Sequence, residues 1–190
     1  MPSTIPPPIR DPLPYEPLLE QRAQETIDLV VVHCTELPDL AAARSFGEQV
    51  LYPSGTGNSG HYYIDRDGTI HQYVDIARTA HHVRGYNPRS IGIELVNGGR
   101  FPHWLASGSQ VMRDPYTELQ LVALTGLLEQ LAAALPGLEY IEGHEQLDQE
   151  EVPSEDDPTV SVRRKLDPGP LFPWSRVLAS TRLRRLLPEA

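Results

Sequence analysis

Apolar residues change their spacing along this chain, and the changes predict its elements. From Thr26 the run "TIDLVVVHC" is β-branched and continuously apolar, which predicts a strand buried on both faces and ending at His33 and Cys34. "HYYIDRDGTIHQYV" at 61–74 alternates on either side of Asp67-Gly68, a tight-turn dipeptide. It predicts a hairpin of two antiparallel strands, Tyr62 to Asp65 and Thr69 to Val74. "SIGIELVN" at 90–97 predicts another strand. The period becomes helical in "YTELQLVALTGLLEQLAAALPG", where Leu121, Leu124, Leu128, Leu131 and Leu135 fall on one face until Pro136-Gly137 stops the helix. "PDLAAARSFGEQVLY" at 38–52 has helical composition, and "LEYIEGH" is a short apolar stretch that delivers His144. "PWSRVLASTRLRRLL" at 173–187 predicts a closing helix with Pro173 in its first turn.

Two segments follow neither period. Residues 1–18 are proline-rich and predict an extended arm that lies over the domain or is disordered. Residues 145–162, "EQLDQEEVPSEDDPTVSV", are acidic and aperiodic, and predict an excursion. The order of elements predicts an α/β (mixed α+β) fold: a central mixed β-sheet flanked by helices. The organisation expected is a single domain at 26–188 behind a proline-rich N-terminal arm at 1–25.

Composition narrows the function. A chain of 190 residues suffices for one sizeable core. With 16 Lys+Arg against 26 Asp+Glu the net charge is −10, and nucleic acid is not an expected partner because phosphate binding needs clustered positive charge. The single cysteine, Cys34, excludes an intrachain disulfide framework and any zinc site that needs two thiolates. No apolar run approaches the ~20 residues that cross a bilayer, so membrane insertion is not expected. "MPSTIPPPIRDPLPYEP" lacks the charged and apolar regions of a signal peptide. The expectation is a soluble, cytoplasmic protein; the alternative is export by a non-standard route.

Seven histidines are candidates for chemistry, and their place relative to the strands separates them. His71 and His103 have no such context. His33 ends a buried strand, His144 follows an apolar run and Gly143, and Asp167 in "RRKLDPGPLFPW" is held by Pro168-Gly169-Pro170 with Lys165 two residues before it. Two imidazoles and a carboxylate suit a catalytic zinc with a fourth position left for water. Three competing patterns are weaker. "HEQLD" at 144–148 carries Asp148 where a zinc-protease helix needs its second histidine. "GTGNSG" at 55–60 matches a dinucleotide fingerprint but leads into a strand, leaving no helix N-terminus for a pyrophosphate. A non-haem iron site also takes two histidines and a carboxylate, but the close His-x-Asp pair common in those oxygenases is missing. Cys34 adjoins His33 along a strand, where neighbours point to opposite faces, and reads as a small buried residue rather than a nucleophile.

Five segments in order, "VVVHCTE", "HYYIDRDGTIHQYV", "AHHVRGYNPRSIGIELVN", "IEGHEQLD" and "RKLDPGPLFPW", resemble the successive motifs of the zinc-dependent N-acetylmuramoyl-L-alanine amidases of the amidase-2 type. That family includes AmpD-like recycling amidases, amidase-type phage lysozymes and, more distantly, peptidoglycan recognition proteins. The resemblance spans about residues 26–178 and implies a central mixed sheet with helices on its faces.

The resemblance also implies roles. His33, His144 and Asp167 match zinc ligands; Glu94 matches a glutamate that moves the proton of the attacking water, and Lys165 a lysine that stabilises the oxyanion. His82 matches a histidine at the cleft and is expected to contact substrate; His81 is expected to pack, and His61 reads equally as a buried strand histidine. The implied reaction is hydrolysis of the amide between N-acetylmuramic acid, or its anhydro form, and L-alanine of the stem peptide, with peptidoglycan fragments or muropeptides as partners. The alternative is a non-catalytic peptidoglycan-binding recognition module. Two departures stand out: the acidic "QEEVPSEDDPTVSV" between His144 and Asp167, and "GGRFPHWLASGSQVMRDPY" at 98–116, which caps the cleft or covers the core.

Overall fold

A computed structural model describes residues 5–187. The first four residues of the proline-rich arm and Pro188, the last residue of the expected domain, lie outside the described residues. The strands are β1 (Ile9–Arg10), β2 (Leu29–Cys34), β3 (Tyr62–Ile64), β4 (Ile70–Gln72), β5 (Ser90–Leu95), β6 (Tyr140–Gly143), β7 (Glu151–Pro153), β8 (Ser161–Arg163) and β9 (Arg184–Arg185). The α-helices are α1 (Leu40–Gly47), α2 (Glu118–Ala134), α3 (His144–Leu147) and α4 (Trp174–Ala179). Seven strands form one mixed sheet in the order β1-β4-β3-β5-β2-β6-β9, in which β3 and β4 pair antiparallel and the other neighbours pair parallel. The expected mixed sheet flanked by helices is what the chain forms.

Side-chain alternation along the central strands decides which face holds the core and which the chemistry. Val30 and Val32 of β2, Ile91, Ile93 and Leu95 of β5 and Ile141 of β6 pack with Leu124, Leu127 and Leu128 of α2. Each fully buried leucine or isoleucine contributes ~2 kcal/mol of transfer free energy, which holds α2 against the sheet. The helix starts at a capping box, with Thr117 Oγ1 accepting from the Gln120 backbone N–H and Gln120 Oε1 accepting from the Thr117 N–H. Leu29 and Val31 point to the opposite face and pack with Val83. His33 and Glu94 share that parity and face each other in the β2–β5 register.

The proline-rich segment lies over the domain, and part of it is regular structure. β1 pairs with β4 at the sheet edge, where a strand with few N–H donors can still fit. Leu13, Tyr15 and Leu19 form a second apolar cluster with Ala43 of α1, Tyr63 and Tyr73.

The acidic excursion includes most of α3 and an antiparallel pair, β7 with β8, in which Val152 faces Val162. Strands of three residues are too short to show a period against charged neighbours. The closing helix is shorter than predicted: α4 ends at Ala179, and the chain returns as β9 beside β6. Leu183 drops into the main core, and Arg185 pairs with the buried Glu142 while lying over Trp174, contacts that a continued helix would forfeit.

Candidate active site

The parallel pairing of β2 between β5 and β6 brings three segments to one end of the sheet. His33 is next to last in β2, His144 follows the end of β6, and Asp167 arrives in the Pro168-Gly169-Pro170 turn. His33 Nδ1 lies 2.9 Å and His144 Nδ1 3.1 Å from Asp167 Oδ2, and all three side chains are buried. One donor atom from each residue falls within 4.8 Å of the others, the arrangement of a cation site. An ion that binds such ligands tetrahedrally at 2.0–2.1 Å spaces them by about 3.3 Å, close to what is observed. Two further atoms of the cluster, His144 Nε2 and Asp167 Oδ1, are buried without a hydrogen-bond partner, which suits side chains whose charge and lone pairs a metal completes. The donor set, two imidazoles and one carboxylate, fits zinc.

Electrostatics follow from burial. Burial pushes the His33 imidazole down to about 4, against the opposing pull of Asp167, so the ring is neutral and able to ligate. Burial alone would raise Asp167; the His144 and His33 imidazoles outweigh it and hold the carboxyl well below its usual range. Glu94 lies beside this cluster, its carboxylate 4.0 Å from His33 Nδ1. Burial, then the charges of Asp167 and Glu36, push its carboxyl well above the ordinary range, with Lys165 opposing. Burial also raises the Cys34 thiol, which stays protonated and takes no nucleophilic part.

These residues line a cleft of about 350 Å³. Glu94, Lys165 and Asp167 line it together with the apolar Phe46 and Tyr52 and the basic Arg84 and Arg164. The acidic segment reaches these arginines, where Glu150 pairs with Arg84 at 2.8 Å and Arg164 at 3.1 Å.

All six residues singled out in the sequence meet here, but His82 is held differently from the expected substrate contact. Its Nδ1 lies 3.0 Å from His33 Nε2 and its Nε2 3.2 Å from Ser90 Oγ, so both ring nitrogens are engaged within the protein. The ring lies flat against β5, where a Cβ at Gly92 would stand 2.7 Å from it, so only glycine fits there. Asn87 Oδ1 accepts from the backbone N–H groups of His82 and Val83 and fixes the approach. His61 is fully buried: its Nδ1 accepts from the Gly92 N–H and its Nε2 lies 3.0 Å from Arg78 O. His81 stacks near Tyr52, and His71 and His103 lie outside the cleft-lining set.

Sequence reasoning missed Ser90, Asn87, Glu36 and Arg100. The first two sit inside "YNPRS", where the turn gives a hint; the last two are 64 residues apart and give none.

Comparison with known proteins agrees with the geometry. The chain is 33% identical over 122 residues to the 1,6-anhydro-N-acetylmuramyl-L-alanine amidase AmpD of Enterobacter cloacae, covering 60% of this chain and 51% of that protein. It is 36% identical over 76 residues to the endolysin of Enterobacteria phage K11, covering 40% of this chain and 46% of that protein. The matches thus span about half the length of these curated relatives. In fold it is similar to the endolysin N-acetylmuramoyl-L-alanine amidase LysCS of Clostridium intestinale URNW, with a TM-score of 0.67 at 18% identity over 96% of this chain and 99% of that one. Among the described residues no helix is long and apolar enough to cross a membrane. The Amidase_2 family model, described as N-acetylmuramoyl-L-alanine amidase, matches residues 23–170, and the chain belongs to that family.

Proposed function

We propose that this chain hydrolyses the amide between the lactyl group of N-acetylmuramic acid and L-alanine of peptidoglycan stem peptides, with zinc held by His33, His144 and Asp167. The observation that carries the reading is the convergence of these donors beside a half-buried carboxylate, Glu94, on an open cleft. The activity for which the Enterobacter cloacae relative is named points to soluble anhydro-muropeptides as the substrate class.

Bound zinc supplies Lewis acidity, lowering the pKa of water to about 7 and polarising a carbonyl. Glu94 takes the proton of the attacking water and delivers it to the leaving L-alanine amine. Its raised proton affinity suits a group that must hold that proton between the two steps. Lys165, which lines the same cleft, donates to the oxygen on which negative charge develops.

His82 is assigned here to orienting His33 rather than to substrate. With His33 Nδ1 turned to the donor cluster, its Nε2–H donates to His82 Nδ1, and His82 Nε2–H donates to Ser90 Oγ. The Ser90 hydroxyl donates in turn to Tyr86 O at 2.8 Å. Such a chain sets the tautomer and plane of a metal-ligating imidazole.

The rival reading is a module that binds peptidoglycan without cleaving it. Product analysis separates the two. Incubation with a soluble muropeptide, followed by mass spectrometry, is expected to yield the free stem peptide with a new L-alanine amino terminus plus the intact sugar. Muropeptide that binds and is recovered whole favours recognition and overturns the enzyme reading.

A further inference from the structure

The 98–116 segment, which the sequence left between capping the cleft and covering the core, crosses the chain that carries Lys165 and Asp167 and grips it on both sides. Upstream of Lys165, Arg100 Nη1 donates to Arg163 O at 2.9 Å and Nη2 to Arg164 O at 3.2 Å. The same guanidinium donates to Glu36 through Nε at 2.7 Å and Nη2 at 2.8 Å. Downstream of Asp167, Tyr116 OH donates to Pro168 O at 2.6 Å. Met112 packs on Gly169, its sulfur 2.6 Å from where a Cβ would stand, and the φ of +87° there favours glycine. On its far side the segment is tied to the end of β2, because Trp104 Nε1 donates to Glu36 O at 2.9 Å, three residues beyond His33.

The Glu36–Arg100 pair is enclosed, its side chains 9 and 1% exposed. A buried ion pair is poor value as stabilisation, since apolar residues of similar volume serve as well or better. Its distinguishing ability is geometric: a planar fork satisfies one carboxylate and two backbone carbonyls at once, which neither lysine nor an apolar side chain can do. That fork joins the segment after His33 to the residues before Asp167.

We infer that Arg100, with Glu36, and Tyr116 are positioning residues: they fix the 163–168 chain so that Asp167 meets His33 and His144 and Lys165 faces the cleft. The inference rests on the metal-site reading given under Proposed function. Metal affinity then depends on a segment that contributes no ligand, and weakening the grip loosens the carboxylate relative to the two imidazoles.

The test is competitive zinc titration of metal-free wild type, Arg100→Lys and Tyr116→Phe against a chromogenic chelator. It is paired with the visible absorption of the cobalt-loaded proteins and the thermal midpoints of the metal-free ones. Arg100→Lys keeps a charge for Glu36 but not the fork, and Tyr116→Phe removes one hydroxyl while keeping the ring against Phe172. The expected result is zinc affinity about tenfold weaker or more in Arg100→Lys and a few-fold weaker in Tyr116→Phe, with altered cobalt bands in both. Variants that melt earlier without metal yet bind zinc with wild-type affinity and show wild-type cobalt bands make the grip merely structural and overturn the inference. Should Arg100→Lys not fold, Tyr116→Phe decides alone by the same readings. A wild type that takes up no zinc removes the metal-site reading, and this inference with it; equal affinity in all three proteins removes the inference only.

Discussion

Replacing Glu94 by glutamine is the substitution that separates proton transfer from metal binding. Glu94 is held in β5 directly opposite His33, and its carboxylate stands 4.0 Å from His33 Nδ1, against 2.9 Å for Asp167 Oδ2 and beyond the ~3.3 Å between two ligands of one zinc. It therefore lies outside the ligand set but within one water of it, the reach required of a general base. Glutamine keeps the volume and the fit against Gly60, where the Glu94 side chain packs closely, so the sheet should be undisturbed. It also removes a half-buried carboxyl whose charged form desolvation disfavours, so the fold does not lose an ion pair. What is lost is the proton acceptor. A positioned base contributes roughly 10²- to 10⁴-fold, which at 1.36 kcal/mol per decade is about 3 to 5 kcal/mol of transition-state stabilisation. The assay is steady-state release of stem peptide from a soluble muropeptide, with zinc per chain measured on the same preparation. The expected outcome is full zinc content with kcat down at least a hundredfold. Turnover within about threefold of wild type would refute Glu94 as the base, and loss of zinc together with activity would show it to be a ligand.

Two further outcomes follow from histidines that are not ligands. His82→Ala removes the partner of His33 Nε2 and should weaken zinc binding about 10- to 100-fold, read by chelator competition; unchanged affinity returns His82 to the substrate side. His61 is neutral in the fold because burial, then the Arg22 charge, lower its pKa to about 3 from an ordinary 6.5. The unfolded chain takes up this proton below about pH 6.5 while the fold refuses it, so the stabilisation is complete above that pH and lost as pH falls toward 3, at up to about 1.4 kcal/mol per pH unit. Urea unfolding of metal-free protein at pH 6.5 and 5 should show His61→Gln losing about 1 to 2 kcal/mol less than wild type; equal losses contradict the assignment.

How much of this was legible in the sequence depends on the distance over which each feature is decided. β2, β5, the Asp67-Gly68 hairpin and α2 carry their own periods, and the ends of β2 and β6 mark where His33 and His144 emerge. The burial of Leu13, Tyr15 and Leu19 was hidden because prolines mask any period around them, and β7, β8 and β9 because two or three residues cannot display one. The Asp167 position was readable from its turn, but the hold on that turn comes from Arg100 and Tyr116, 67 and 51 residues away by number. His82 was readable as a cleft residue and not as a partner of His33, because that contact depends on how β5 registers against β2 and on the space that Gly92 leaves. Local pattern thus locates the chemistry, while the contacts that orient it are set by pairings between distant segments.

The central claim is that His33, His144 and Asp167 hold the zinc on which amide hydrolysis depends. The most direct measurement is a titration of zinc into chelator-stripped protein, following release of stem peptide from a soluble muropeptide at each addition, with Asp167→Asn as the matched control. Activity should be absent at the start and rise linearly to a plateau at one zinc per chain. Asp167→Asn should bind zinc weakly and stay inactive at that ratio. Full hydrolysis by the stripped protein, or a variant that fills and works like wild type, would contradict the claim.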